Sequence, residues 1–120
     1  MAKAGVWDPQ IILEQNPVKD DTPFSWAYLS QSEHTTINVV HSNEANMPHI
    51  HETHDEVLVV IHGQGLFRLG DETMPFKEGD VIFIPAGLVH TPITDEYIAA
   101  VSIYSPEFDP ENPDRVFVNE

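Results

Sequence analysis

Between Phe24 and Tyr104 the chain consists of short runs rich in β-branched and aromatic residues, each closed by a turn signal too soon for a helix. The runs Phe24 to Ser30, Thr35 to Ser42, Glu56 to His62, Leu66 to Leu69, Thr73 to Phe76, Val81 to Ile84, Leu88 to Ile93 and Tyr97 to Tyr104 read as strands. Gly63-Gln64-Gly65, Gly70-Asp71-Glu72, Lys77-Glu78-Gly79-Asp80 and Pro85-Ala86-Gly87 punctuate them. Turn signals at intervals of roughly 8–12 residues are those of a sandwich or a barrel. Glu56 to His62 is almost continuously apolar, and its Val and Ile content favours a buried strand over a helix. The expected class is all-β.

A chain of 120 residues makes one domain with a single core, here expected as an arm over 1–23, a β-barrel over 24–104 and an extended strap over 105–120. Pro9, Pro17 and Pro23 interrupt the arm, where Ile11-Ile12-Leu13 could add an edge strand; Pro106, Pro110 and Pro113 keep the strap extended. No helical period of useful length stands out. Asp and Glu number 20 against 5 Lys and Arg, a formal net charge of -15. That field repels nucleic acid and anionic membrane surfaces, so neither is an expected partner; its plainest role is solubility. Cysteine is absent, which removes disulfides, thiolate metal sites and cysteine nucleophiles. No stretch reaches the roughly 18–20 apolar residues of a membrane span, and the N-terminus has no apolar signal core, so a cytoplasmic protein is expected.

Four residues suggest chemistry. His49 and His51 are two apart, which on an extended strand turns both side chains to one face. Glu56 follows a short polar break, and His90 lies in a later turn-rich segment. Imidazoles with a carboxylate suit a divalent transition metal and leave coordination positions open. Buried in a barrel without a metal, such a cluster would be costly.

The spacing of these residues resembles a known family. His49-Ile50-His51, four residues, Glu56, six residues and Gly63 is similar to the first cupin motif. Gly79, five residues, Pro85-Ala86-Gly87, two residues and His90 is similar to the second, with a spacer of 15 residues between the motifs. Eight specified positions at average residue usage match by chance at one start with odds of about 10⁻¹⁰, too small for composition to be the cause. The chain thus resembles a small single-domain metal-binding cupin of the RmlC-like jelly-roll kind. The resemblance implies a double-stranded β-helix and metal ligands at His49, His51, Glu56 and His90. Asn43 stands where the family usually has glycine and Thr94 where it often has asparagine; neither position supplies a ligand.

Other residues carry weaker expectations. His54 and Tyr104 are the candidates for a separate acid or base, although His54 reads first as a solvated loop histidine. His41 shares the parity of Ile37 and Val39 and could point inward near the site, or serve as a hydrogen-bonded core histidine. His34 and His62 read as structural, Glu52 and Asp55 as solvated, and Arg68 as a surface residue that could otherwise clamp a carboxylate. Trp26, Tyr28, Phe83 and Tyr104 are candidate pocket walls.

The expected function is metal-dependent chemistry on a small organic molecule, most simply an iron(II)-type dioxygenase. Isomerase, decarboxylase or lyase chemistry, or a small-ligand sensor without turnover, are the alternatives. Iron, manganese, nickel, cobalt, copper and zinc all fit the ligand types. A homodimer is expected from family habit and from the apolar residues Val6, Trp7 and Ile11-Ile12-Leu13 on the arm.

Overall fold

The computed structural model describes residues 4–19, 21, 23–43, 49–93, 96–106 and 115–117, without the side chains of His49, Arg115 and Phe117. Residues 44–48, Thr94, and residues 107–114 and 118–120 of the expected strap lie outside this set. One helix, α1 (Pro9–Gln15), precedes the strands β1 (Phe24–Gln31), β2 (Thr36–Ser42), β3 (His49–His51), β4 (Asp55–His62), β5 (Gly65–Leu69), β6 (Glu72–Phe76), β7 (Val81–Ile84), β8 (His90–Ile93), β9 (Ile98–Ser105) and β10 (Arg115–Phe117). Every strand run read from the sequence is present within two residues of its expected ends, apart from its ragged entry into β8.

The strands form two antiparallel sheets, in the orders β1-β2-β9-β4-β7 and β10-β3-β8-β5-β6. From β2 onward the chain passes back and forth between the sheets, which is the winding of a double-stranded β-helix. Val60, Ile82 and Ile84 from the first sheet meet Phe67 and Phe76 from the second and form the core between them. Gly63 makes the turn from β4 to β5 at φ +103°, where a Cβ would lie 2.7 Å from the Tyr97 carbonyl oxygen.

Around β4 the first sheet carries apolar residues on both faces. Val39 and Ala99 on its outer face pack with Leu13, flanked by Ile12, Leu29, Ile61 and Val101. This accounts for the unbroken apolar run of β4, since alternation is lost where both faces pack against apolar neighbours. It also decides two expectations. Ile11-Ile12-Leu13 belongs to a helix rather than an edge strand, because local capping decides the segment. Asp8 accepts from the Gln10 amide at 2.9 Å, Pro9 supplies a preset φ at the first turn, and the Asn16 side chain closes the end on the Ile12 carbonyl at 2.9 Å. His41 has the parity of Val39; it borders the cavity, and its ring is held between α1's end and Tyr97. Its Nε2 meets the Asn16 carbonyl and its Nδ1 the Tyr97 hydroxyl at 2.7 Å, the hydrogen-bonded core role. In the neutral ring Nε2 carries the proton, because a carbonyl can only accept, and Nδ1 accepts from Tyr97.

At the other end of the chain, residues 115–117 form a strand on the edge of the second sheet, with Arg115 opposite His51. Among the described residues, no helix is long and apolar enough to cross a membrane.

Leu13→Ala should empty the contact between α1 and the first sheet. A loss of about 2–4 kcal/mol is expected from the precedent for buried leucines, read as a lower urea midpoint with the site otherwise intact. An unchanged midpoint would mean that α1 contributes nothing to the core.

Candidate functional site

The two sheets bring His51 on β3, Glu56 on β4 and His90 on β8 to one point between them. All three side chains are buried, with residue exposures of 3%, 6% and 1%. Glu56 Oε1 lies 3.7 Å from His51 Nε2 and 3.5 Å from His90 Nε2, and the two imidazoles stack with ring centres 5.3 Å apart. One donor atom from each of the three falls within 4.8 Å of the others. Donors bound to one ion at about 2.1 Å sit roughly 3.0–3.4 Å apart at right or tetrahedral angles, so the group fits a metal after a small closure. Nitrogen lone pairs and a carboxylate converging out of water demand a cation among them, either protons on the rings or a metal.

Two of these side chains, His90 and Glu56, are held from behind. His90 Nδ1 donates to the Leu88 carbonyl at 3.0 Å, which leaves Nε2 as the atom facing Glu56. Ser102 Oγ donates to Glu56 Oε2 at 2.7 Å. The turn before β8 is tied to the strands that carry the other two residues: Gly87 N–H donates to the His51 carbonyl at 2.7 Å and Ala86 N–H to Asp55 Oδ1 at 2.9 Å. Gly87 sits at φ +85°, a backbone state that L side chains rarely adopt, which explains glycine there. Burial pushes the Glu56 carboxyl up, but the close approach of His90, the bond from Ser102 and the charges of His51 and His90 outweigh it. The group therefore lies below its ordinary value.

The cluster opens on a cavity of about 100 Å³ whose walls are mainly apolar, among them Leu58, Phe67, Pro92, Ile98 and Tyr104. The Tyr104 ring lies edge-on to His51 at 5.2 Å and to His54 at 6.1 Å, with Trp26 behind it at 6.2 Å.

Residues 34–104 match the family model for the cupin domain. The chain belongs to the cupin family. An uncharacterized protein of Aquifex aeolicus is 34% identical over 89 residues, which cover 73% of this chain and 74% of that one. Among solved structures, an uncharacterized conserved Klebsiella pneumoniae protein with a double-stranded β-helix domain superposes with a TM-score of 0.74. It is 15% identical and spans 98% of this chain and 100% of its own. Streptomyces PAC13, solved with uridine and described as a nucleoside dehydratase, reaches a TM-score of 0.69 at 19% identity, covering 89% of this chain and 88% of that one. At these identities the two structures speak for the shared fold.

Within this cupin, the residues singled out in the sequence divide clearly. His51, Glu56 and His90 meet. The backbone of His49 pairs with that of His90, and its side chain lies outside the described set. His54, read first as solvated, is buried at 7% exposure: its Nδ1 meets Thr53 Oγ1 at 3.1 Å and its ring abuts Tyr104. Asp55, read as solvated, is the latch on Ala86. Arg68 donates from Nε to the Gly70 carbonyl of its own hairpin and does not line the cavity. Tyr104 lines the cavity, whereas Tyr28 and Phe83 are 59% and 56% exposed. His62 bonds Gln10 of α1 at 2.6 Å, a structural role as expected. Ser102 went unread, because only the β4–β9 register, which sets Glu56 opposite Tyr104, puts Ser102 on the inner face beside the carboxylate.

Asp55→Ala should release the turn before His90 and lower thermal stability by an amount near that of one hydrogen bond, about 0.5–1.5 kcal/mol. Asp55→Asn keeps an accepting oxygen and should retain most of it. Equal unfolding midpoints for both variants and the parent would rule out the latch.

Proposed function

We propose that this cupin is a metal-dependent enzyme acting on a small organic molecule. The supporting observation is the buried group of His51, Glu56 and His90 at one wall of an otherwise apolar cavity. His49 is the fourth proposed ligand, since the period of two along β3 assigns it to the face of His51 and its backbone partner is His90. A divalent transition metal held by this set supplies Lewis acidity and exchangeable positions for substrate oxygens, and iron(II) adds the capacity to activate dioxygen. The simplest reading is an iron(II)-type dioxygenase. The apolar walls favour a mostly apolar substrate body and keep bulk water from the reacting end.

One observation favours a second reading. His54 and Tyr104 form a buried pair beside His51, and neither belongs to the group of potential ligands. They are the side chains available to move a proton in lyase, isomerase or decarboxylase chemistry. The description of PAC13 as a nucleoside dehydratase gives that reading a precedent on the same fold.

The test is elemental analysis of protein purified anaerobically without added metal, beside His51→Ala. Near-stoichiometric iron that is lost in the variant, with oxygen uptake on a substrate panel, supports the dioxygenase. Zinc, nickel or manganese without oxygen uptake supports the second reading, in which Tyr104→Phe should then reduce turnover more than metal content. Glu56→Gln should weaken metal binding less than His51→Ala or His90→Ala, because the amide oxygen still coordinates. Full metal occupancy in His51→Ala would overturn the ligand set, and no uptake by any of these proteins would overturn the metalloenzyme.

We further propose a homodimer, now through the outer face of the first sheet. Leu13 is occupied within its own chain, whereas Val81 and Phe83 stand 66% and 56% exposed beside their β4 neighbours Val59 and Val57. Light scattering should give twice the chain mass for the parent and the chain mass for Phe83→Glu. A monomeric parent would overturn the assembly.

A further inference from the structure

Behind Glu56 the barrel wall is polar where packing alone would make it apolar. Thr36, Asn38 and Ser102 are 2%, 1% and 0% exposed. Asn38 on β2 lies directly opposite Ser102 on β9, so the two side chains stand on the same face at the same level. Ser102 is joined to Glu56 by the 2.7 Å bond to Oε2. Asn38 is the outlier, since neither Nδ2 nor Oδ1 has a hydrogen-bond partner among the described residues. A buried amide with nothing to bond destabilises a fold, and such groups are rare.

We propose that Asn38 and Ser102 are positioning residues that set Glu56 as a ligand through one oxygen. The inference rests on the metal reading above. The hydroxyl proton of Ser102 occupies Oε2, while Oε1 is the oxygen turned to both imidazoles. That serine oxygen keeps two lone pairs. The amide of Asn38 stands across from Ser102 and is unbonded among the described residues; in the proposed arrangement it turns toward β9 and donates from Nδ2 to Oγ. Donation from Asn38 fixes the polarity of the chain: amide N–H to serine oxygen, serine O–H to carboxylate. The serine hydroxyl then points to Glu56 alone. A carboxylate so held contributes one bond to a metal and keeps one more coordination position open than a two-oxygen grip would. That position is available to a substrate oxygen.

The experiment is a cobalt(II) titration of the metal-free protein, read by visible absorption and by competition with a chromogenic chelator. Parent, Ser102→Ala, Ser102→Thr and Asn38→Leu are compared, with circular dichroism confirming their folds. Ser102→Ala should bind cobalt on the order of 10–100-fold more weakly, the usual effect of losing a partner behind a ligand. It should also show an altered absorption envelope as Glu56 gains its second oxygen. Ser102→Thr keeps the hydroxyl and should restore the parent spectrum. Asn38→Leu should combine a several-fold weaker affinity with an unchanged or higher melting temperature of the metal-free protein, in which the amide has no partner among the described residues. A residue that merely packs would not give that combination. Parent-like affinity and spectrum in both Ser102→Ala and Asn38→Leu would overturn the positioning role and leave the metal centre standing. Failure of the parent to take up cobalt would overturn the metal centre, and the positioning role with it. Should Ser102→Ala not fold, Asn38→Leu decides.

Discussion

The constraint on which this structure turns is the burial of a carboxylate with two imidazoles inside a barrel. Taking such groups out of water costs several kcal/mol per ion unless each is paired and bonded. The surrounding fold reads as the set of conditions that make this tolerable. Glu56 has one oxygen on Ser102 and the other on the histidines. His90 has one nitrogen on a backbone carbonyl and the other on the site. The two sheets must therefore keep their register, because a slip of one residue in β4 would turn Glu56 outward and bring Val57 in. The links from Gly87 to His51 and from Ala86 to Asp55 resist that slip by joining the strand ends at the site.

Electrostatics act here at two ranges. The chain as a whole is strongly acidic, yet its surface charges are screened over about 8–10 Å at ordinary ionic strength. At long range the field lowers the approach of polyanions and raises the local concentration of divalent cations. At short range the balance is set by the donors themselves, and a divalent ion with one carboxylate ligand retains about one positive charge. The surface thus favours the approach of cations, and a divalent ion held by this cluster would favour a neutral or singly charged oxygen ligand. Neither effect chooses a metal, since imidazole and carboxylate serve most of the first-row series.

Much of this arrangement was legible in the sequence because it depends on spacing. Strand ends are marked by glycine, proline and short acidic turns, and the residues His51, Glu56 and His90 lie at fixed steps from those turns. What escaped depends on which strand faces which. The parity of His41 is plain in β2, but only the packing of α1 tells that Val39 meets Leu13 and that the His41 ring bonds Asn16. A short amphipathic helix of two turns and a short apolar strand look alike in the letters Ile-Ile-Leu, and the Asp8 cap decides between them. Asp55 and His54 looked solvated because they sit in a polar stretch, whereas the fold lays the Pro85 turn and the Tyr104 ring over them.

The polar lining behind Glu56 bears on how such a barrel divides its interior. Toward β5, β6 and β7 the space between the sheets is filled by Val60, Phe67, Phe76, Ile82 and Ile84, and it needs no polar partner. Toward β2 and β9 the inner positions include Thr36, Asn38 and Ser102, all more deeply buried than most of the apolar core. Stability alone would favour aliphatic residues there, since a replaced polar group leaves nothing unsatisfied. A carboxylate held in one orientation needs donors at its back, and donors in a dry wall need support of their own. The cost of an amide without a partner among the described residues therefore falls at Asn38, one strand away from the serine that donates to Glu56.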